Sequence, residues 1–149
     1  MIFLTVEQVI EQHNTVLDDT GVGLEGIKDR GLLESAVYRA EQRYSFDDSL
    51  DAATIASMVC FGIAKAHAFH DANKRTAAFC CELFLDLNDL ELDLTDDEIL
   101  GLILDLVNDE IKEEDFATTI RPHLVPVLQP TADLEAEQIE SDTPALSGP

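Results

Sequence analysis

The sequence predicts an all-α domain, with about six helices packed around one buried central helix. Apolar residues recur at helical spacing in several segments of the 149-residue chain, so that each predicted helix has an apolar stripe. Short breaks separate these segments. They contain glycines and prolines, which end helices, and acidic residues, which can cap the next helix. No two segments show the alternating pattern of a convincing strand pair. A chain of this length is expected to form a single domain.

Caps and apolar stripes define the first two helices. The first lies within residues 5–18, where Thr5 and Gln8 form the pattern of a capping box. The glycine-rich segment DTGVGLEGIKDRG is then expected to be a loop. In the second helix, GLLESAVYRAEQRY, the apolar stripe consists of Leu32, Leu33, Ala36, Val37 and Ala40. The next break is SFDDSLD, in which Ser49 or Asp51 is suited to cap the third helix.

The third helix, predicted from Ala52 to Ala66, is apolar on every side and carries a single charge, Lys65. Such a helix is buried on all sides, so we expect it to be the central one. The fourth helix contains the amphipathic segment TAAFCCELFLDLN, after which DLELDL is expected to be briefly extended. A second capping box, Thr95 with Glu98, starts the fifth helix, and the sixth spans roughly Glu113 to His123.

The domain is predicted to cover residues 1–123, followed by an acidic tail, residues 124–149. In the tail, five Asp and Glu, no Lys or Arg, and repeated Pro, Ser and Thr replace the apolar stripes. This composition buries too little apolar surface to offset the conformational entropy of the chain. We therefore expect the tail to be flexible.

The amino-acid composition limits the kinds of partner that the protein can bind and the compartment in which it is expected. Nine Lys and Arg face 31 Asp and Glu, a formal net charge of -22, which disfavours direct binding to nucleic acid. The acidity fits a solvated surface or adaptation to a salty cytoplasm. Cys60, Cys80 and Cys81 are odd in number and have apolar neighbours, so buried free thiols are expected. No signal-peptide pattern and no long uncharged apolar run is present, which predicts a soluble cytoplasmic protein without membrane contact.

The segment HAFHDANKRT, residues 67–76, concentrates polar side chains where the central helix ends and the fourth begins. The first turn of a helix has free backbone N–H groups and the positive end of the helix dipole. Lys74 and Arg75 fall in this turn, where cations are normally unfavourable, so a bound anion would offset their cost. Phosphate fits best, because Arg75 can bind two of its oxygens while Lys74 acts as a point charge.

The other residues of this segment suggest a base and a metal ligand. Asp71 is a carboxylate beside the predicted phosphate site, which suits Mg²⁺. Asn73 can donate to a phosphate oxygen and cap the new helix. His67 can take a proton from a hydroxyl, because an imidazole titrates at about pH 6.5. Phe69 is the one large apolar residue and is expected to anchor the loop in the core. This combination indicates phosphoryl or nucleotidyl transfer.

Two other interpretations of the segment stay open at this point. A polar interhelical loop capped by Asn73 would explain the polarity but not two adjacent cations at a helix start. A metal-dependent phosphohydrolase is suggested by the adjacent His70 and Asp71, but such a site needs further ligands from other helices. The remaining histidines, His13 and His123, are expected at surface or boundary positions.

The same segment resembles the signature of the Fic/Doc family, His-x-Phe-x-Asp-Ala/Gly-Asn-Lys/Gly-Arg, and matches it at every defined position. Lys74 and Thr76 are similar to the death-on-curing (Doc) toxin branch, whereas typical Fic adenylyltransferases have glycine at the position of Lys74. The segments FLTVEQVIEQH and GIKDRGLLESAV also look like Doc-type sequence, so the resemblance covers roughly residues 3–123. It implies a compact Fic/Doc-type helical bundle.

The resemblance also implies roles for single residues. His67 would be the general base, Asp71 the Mg²⁺ carboxylate, and Asn73, Lys74 and Arg75 the phosphate contacts. In the Doc branch, ATP binds in the orientation opposite to that in Fic enzymes. Its γ-phosphate is transferred to a threonine of elongation factor Tu, which stops translation. The bulk and charge of Lys74 offer a physical cause for this orientation.

The resemblance also implies a protein partner, and it leaves two alternative functions open. A Phd-like antitoxin is implied, whose C-terminal segment folds onto the toxin. YSFDDSL stands where family members carry the segment that positions the target, and TADLEA matches an inhibitory Fic motif only in part. His70 occupies a variable position. A Fic-type nucleotidyltransferase, which would attach AMP to a protein hydroxyl, and a non-catalytic binding module remain the alternative functions.

Overall fold

The computed structural model describes residues 1–127. The helices are α1 (Val6–Thr20), α2 (Arg30–Phe46), α3 (Ala52–Ala66), α4 (Asn73–Leu87), α5 (Asp96–Val107) and α6 (Glu113–Ile120). A 3₁₀ helix (Arg121–His123) and two strands, β1 (Leu90–Leu92) and β2 (Leu124–Pro126), complete the described part. The predicted bundle of about six helices is confirmed. Residues 128–149, which hold most of the predicted tail and TADLEA, lie outside the described residues.

The central position of α3 follows from its composition. Ten of its fifteen residues are buried, and it packs against α2, α4, α5 and α6. Gly62 allows α2 to come close, since a Cβ added there would lie 3.0 Å from the carbonyl oxygen of Ala36. The three cysteines, on α3 and α4, are buried and free, as predicted. Neither α3 nor any other helix within residues 1–127 is long and apolar enough to cross a membrane.

Local capping signals set the helix starts where the sequence predicted them. Both capping boxes form, Thr5 with Gln8 at α1 and Thr95 with Glu98 at α5. Of the two cap candidates for α3, Asp51 is the cap, and its carboxylate accepts a hydrogen bond from the backbone N–H three residues later. Side-chain caps satisfy backbone N–H groups that would otherwise lack partners, which fixes these boundaries.

A small antiparallel sheet corrects two predictions. β1 and β2 pair in the register Leu90–Pro126, Glu91–Val125 and Leu92–Leu124. The expected extension of DLELDL is therefore confirmed. Residues 124–126, in contrast, belong to a strand and not to the predicted tail. The prediction that the chain has no strand pair was also wrong. The leucines of both strands pack against the core, which holds this segment in place. Three-residue strands far apart in sequence give no recognisable alternation.

Candidate active site

The loop between α3 and α4, residues 67–72, is bounded by two residues in the left-handed conformation. His67 has φ 51° and caps the C-terminus of α3, and Ala72 has φ 63° and precedes α4. A residue other than glycine at such a φ costs of order 1–3 kcal/mol and persists only where its surroundings hold it in place. The helix boundaries agree with the prediction. We call residues 67–72 the motif loop.

Phe69 and Asn73 hold the motif loop together. Phe69 is 2% exposed, as expected for an anchor. Its backbone N–H donates to Asn73 Oδ1 at 3.1 Å, and Asn73 Nδ2 donates to the carbonyl oxygen of Phe69 at 3.0 Å. The prediction that Asn73 caps α4 is therefore wrong, because its amide is turned back to Phe69 and the cap residue is Ala72. One N–H of the amide is not used by this pair of hydrogen bonds.

The glycine-rich loop, residues 21–29, runs beside the motif loop. The N–H groups of Lys28 and Asp29 both donate to the carbonyl oxygen of Ala68, at 2.7 and 3.1 Å. A single antiparallel bridge joins Ile27 to Phe69. The two loops therefore form one layer over the end of α3.

Two glycines make this close approach possible. Gly23 and Gly26 have φ of 113° and 99°, values that side chains rarely adopt. A Cβ on Gly23 would also lie 2.9 Å from a methyl group of Leu17 and 3.5 Å from Cβ of Asp71. The adjacent Leu24 N–H donates to Asp71 Oδ2 at 3.2 Å. The glycine-rich loop thus holds the Asp71 carboxylate on one side.

The segment YSFDDSL lies elsewhere. It ends at the N-terminus of α3, and the motif loop begins at the C-terminus of the same helix, about 22 Å away at 1.5 Å per residue. At the N-terminus of α3, the cap residue Asp51 forms an ion pair with Arg121. The structure therefore does not support the expectation that this segment adjoins the site, and the glycine-rich loop takes that place.

His13 was misplaced by the sequence prediction. It is 1% exposed, and its ring stacks on that of Phe69 with 3.9 Å between centroids and 8° between planes. Its Nε2 lies 2.9 Å from the carbonyl oxygen of Asp71, to which it must donate. One signal was present, because position 13 falls on the buried stripe of α1 between Val9 and Val16. His123, in contrast, is exposed, as expected.

The candidate catalytic residues meet at the N-terminus of α4. An open cavity of about 350 Å³ is lined by His67, His70, Asp71, Ala72, Asn73, Lys74 and Arg75. Within residues 1–127, neither Lys74 nor Arg75 forms an ion pair, although acidic residues outnumber basic ones 31 to 9 in the chain. Cations without carboxylate partners at the positive end of a helix dipole favour the binding of an anion, as the sequence predicted for this turn.

The arrangement around Asp71 fits Mg²⁺ bound together with phosphate. Its Oδ2 accepts the hydrogen bond from Leu24, and no hydrogen bond from residues 1–127 reaches Oδ1. Mg²⁺ needs only one or two carboxylates beside substrate phosphates and waters. No group of three or more His, Cys, Asp or Glu side chains in the described residues is placed to hold a metal. The metal-dependent phosphohydrolase interpretation, which needs such a group, is not supported.

Arg75 also borders a second cavity of about 200 Å³ between α1, α4 and α5. Its walls combine the apolar residues Val16, Ala78, Phe79 and Leu100 with the acidic residues Asp19, Glu82 and Asp96 and the neutral polar residue Thr20. Burial raises the pKa of Glu82, and the charge of Asp96 raises it further. Within the described part of the chain, Arg75 is the one residue that lines both this cavity and the cavity at the start of α4.

Comparison with known proteins agrees with the motif. Residues 3–85, more than half of the chain, match the model of the Fic/DOC family, and this range contains α1, α2, α3 and the motif loop. The chain is also similar to the protein kinase Doc of Escherichia phage P1. The two are 29% identical over 118 residues, which cover 79% of this chain and 92% of the phage protein.

Proposed function

The chain belongs to the Fic/Doc family, and from this premise we propose that it is a Doc-like toxin kinase. Its proposed reaction is transfer of the γ-phosphate of ATP to a threonine of a Tu-type translation elongation factor, which arrests translation. The observation that carries this proposal is the cavity at the start of α4. There, two histidines, His67 and His70, one carboxylate and two cations without ion-pair partners among residues 1–127 line the same space.

The two cations and the helix start would bind the phosphates. Placing Lys74 and Arg75 in the first turn costs about 0.3–1 kcal/mol each against the helix dipole. A polyphosphate removes this cost, because it accepts hydrogen bonds from the free N–H groups and pairs with both side chains. Arg75 can bind two oxygens of one phosphate, and the free amide N–H of Asn73 can reach another. ATP is the anion that also carries a transferable group.

Asp71 would hold the Mg²⁺ that accompanies ATP. When bound, this ion neutralises charge on the phosphate oxygens and so lowers the barrier to transfer. The protein's contribution is to keep the carboxylate in place, which the Leu24 hydrogen bond does from the glycine-rich loop.

His67 would act as the general base. It is exposed at the wall of the cavity, next to the phosphate site. In the proposed reaction the threonine oxygen attacks the γ-phosphorus, and His67 accepts the hydroxyl proton. The bond from the γ-phosphorus to the bridging oxygen breaks, and ADP leaves. The products are phosphothreonine, ADP and the proton on His67.

Two arguments favour γ-phosphate transfer over AMP transfer. Lys74 occupies the position where typical Fic adenylyltransferases have glycine, and its ammonium group adds bulk and charge inside the cavity. The phage P1 relative is named a protein kinase. AMP transfer to a protein hydroxyl is the second candidate, because the same base and phosphate site would serve it.

Labelled ATP tests the proposal. Purified protein is incubated with Mg²⁺, a Tu-type elongation factor, and ATP labelled at either the γ- or the α-phosphate. We expect label on the elongation factor from γ-labelled ATP only, and none with His67→Ala. His70→Ala, which changes the neighbouring exposed histidine, is the matched control and should keep transfer. Label from α-labelled ATP would establish AMP transfer instead.

A growth assay separates catalysis from binding. If the protein is only a binding module, arrest of growth on expression should survive His67→Ala. If it is a kinase, the variant should let cells grow at the same level of soluble protein.

The proposal also includes the biological setting. We expect a cytoplasmic protein that pairs with a Phd-like antitoxin and makes no direct contact with nucleic acid or membrane. A short gene directly upstream that encodes a DNA-binding antitoxin would support this setting, and co-purification of the two products would test it.

A further inference from the structure

We propose that His13 is a positioning residue that sets the geometry of the Mg²⁺ carboxylate, Asp71, from the opposite side of the motif loop. This inference rests on the proposed function, because it assigns His13 a role in binding Mg²⁺ with ATP. His13 lies on α1, at a sequence separation of 58 from Asp71, and does not line the cavity.

The first observation is the stack of His13 on Phe69. Two nearly parallel rings with 3.9 Å between centroids, exposed by 1% and 2%, fix each other's orientation. The backbone of Phe69 is held separately by the amide of Asn73. The side chain and the backbone of Phe69 are therefore both held in place, by His13 and by Asn73.

The second observation is the hydrogen bond from His13 Nε2 to the carbonyl oxygen of Asp71, at 2.9 Å. The carboxylate of the same residue accepts a hydrogen bond from Leu24. Asp71 is thus held at its backbone by α1 and at its side chain by the glycine-rich loop. The next residue, Ala72, has φ 63° and leads directly into the predicted phosphate-binding turn of α4.

The chemistry of position 13 supports a role beyond packing. The other buried positions of α1 are Val6, Val9, Val16 and Leu17, all apolar. A buried polar side chain costs free energy unless it is hydrogen-bonded, so an apolar residue would satisfy packing alone. Histidine combines a flat ring for the stack with a donor for the Asp71 carbonyl. Partners that hold a metal ligand in place typically change metal affinity by 10–100-fold when they are lost.

Two substitutions separate the ring from the donor. His13→Phe keeps a stacked ring and removes the N–H, and His13→Gln keeps an N–H donor and removes the ring. Val9→Ala, one turn earlier on the same buried stripe, is the control, because it weakens the core and leaves both the ring and the donor of His13 in place. If His13→Phe does not fold, His13→Met fills the space flexibly without a donor and takes its place.

The measurement is ATP binding by calorimetry as a function of Mg²⁺ concentration, with thermal denaturation recorded for each variant. We expect His13→Phe to need about 10-fold more Mg²⁺ for half-maximal ATP binding. His13→Gln should stay close to the wild type, and Val9→Ala should melt earlier with unchanged Mg²⁺ dependence.

Several outcomes would overturn the inference. One is unchanged Mg²⁺ dependence in the variants without a donor, and another is an equal shift in Val9→Ala, which would mark a general loss of stability. In both cases the wild type still binds Mg²⁺ and ATP, so the proposed function stands. If the wild type itself shows no Mg²⁺-dependent ATP binding, the proposed function fails and this inference fails with it.

Discussion

Lys74 lies in the first turn of α4 and lines the cavity beside His67 and Arg75. In the proposed reaction, a side chain there would limit which phosphate of ATP can lie next to His67, because it adds bulk and charge. We therefore expect the choice between phosphate and AMP transfer to depend on Lys74 more than on any other residue.

Substituting Lys74 tests this dependence. We expect Lys74→Gly to lose most γ-phosphate transfer and to gain AMP transfer, as read from paired reactions with γ- and α-labelled ATP. Glycine near the start of a helix costs at most about 1 kcal/mol of stability, so the variant should remain folded. Lys74→Arg, which keeps bulk and charge, is the control. An unchanged ratio of the two labels in Lys74→Gly would show that this residue does not select the phosphate.

Glu82 gives a prediction on stability. Burial and the charge of Asp96 raise its pKa in the folded state, so the charged form opposes folding. Because the folded pKa is above the ordinary value of 4.5, the stability that this shift supplies is present at low pH and is lost as the pH rises. Glu82→Gln should therefore melt at a higher temperature than the wild type at pH 7.

The pH dependence distinguishes this effect from a simple loss of charge. The higher melting temperature of Glu82→Gln, relative to the wild type, should vanish below about pH 4.5. Glu91→Gln removes the same charge from an exposed position on β1 and should raise the melting temperature less at pH 7. Equal gains in the two variants would show that net charge, and not the local burial of Glu82, is responsible.

The sequence could predict which candidate site residues lie together when those residues are neighbours in the chain. One loop and one helix start bring together His67, Asp71, Lys74 and Arg75, which line one cavity as the sequence led us to expect. His13 could not be assigned a role, because its contacts with Phe69 and Asp71 depend on how α1 packs. The orientation of Asn73 was also missed, since an amide can cap a helix or turn back to its own loop, and sequence does not distinguish the two.

Among the helices, α3 depends most clearly on a cap. The Asp51 carboxylate accepts from the Thr54 N–H and hydroxyl, and it forms an ion pair with Arg121 at 2.7 Å. The hydrogen bond from Arg121 is the main cause that holds the pKa of Asp51 well below its ordinary value. This carboxylate therefore stabilises the fold above about pH 3.8, and its contribution is lost as the pH falls further.

Two substitutions separate the cap from the ion pair. Asp51→Ala should reduce the free energy of unfolding at pH 7 by about 1–2 kcal/mol, because the cap is lost. Asp51→Asn keeps a capping oxygen and removes only an exposed ion pair. Its free energy of unfolding should therefore fall by less than about 1 kcal/mol. Urea denaturation at pH 7 and pH 3 measures both, and the differences from the wild type should narrow at pH 3. Equal losses at pH 7 would show that the cap contributes little.

Helices and strands differed in how far sequence could predict them. Helices α1, α3 and α5 were predicted with their starts because caps and stripes are local signals. The β1–β2 pair was missed because each strand has only three residues and the pairing joins distant parts of the chain. The prediction of which segment lies beside the motif loop was wrong for a similar reason. YSFDDSL precedes α3, but the length of this helix separates it from the site.

For the molecule as a whole, charge is the dominant feature. A net charge of -22 on 149 residues opposes compaction through repulsion between carboxylates. Salt screens these interactions, since the Debye length falls from about 10 Å at 0.1 M to about 3 Å at 1 M. The fold should therefore gain stability from salt, which is the behaviour expected of a protein adapted to a salty cytoplasm.

Thermal denaturation against KCl tests this expectation. We expect the melting temperature to rise steadily from low salt to molar KCl at pH 7. Near the isoelectric point, at about pH 4.1, the same series should show a much smaller rise, because little net charge remains to be screened. A midpoint that does not respond to molar KCl at pH 7 would contradict this account of the acidity.

In the proposed reaction, the start of α4 binds the phosphates of ATP so that His67 can direct the γ-phosphate to a protein hydroxyl. Mass spectrometry of the elongation factor tests it most directly, after incubation with the protein, Mg²⁺ and unlabelled ATP. We expect one added phosphate on a threonine, which is absent with His67→Ala. An added AMP, or an unmodified factor in a reaction where the protein still arrests translation, would contradict it.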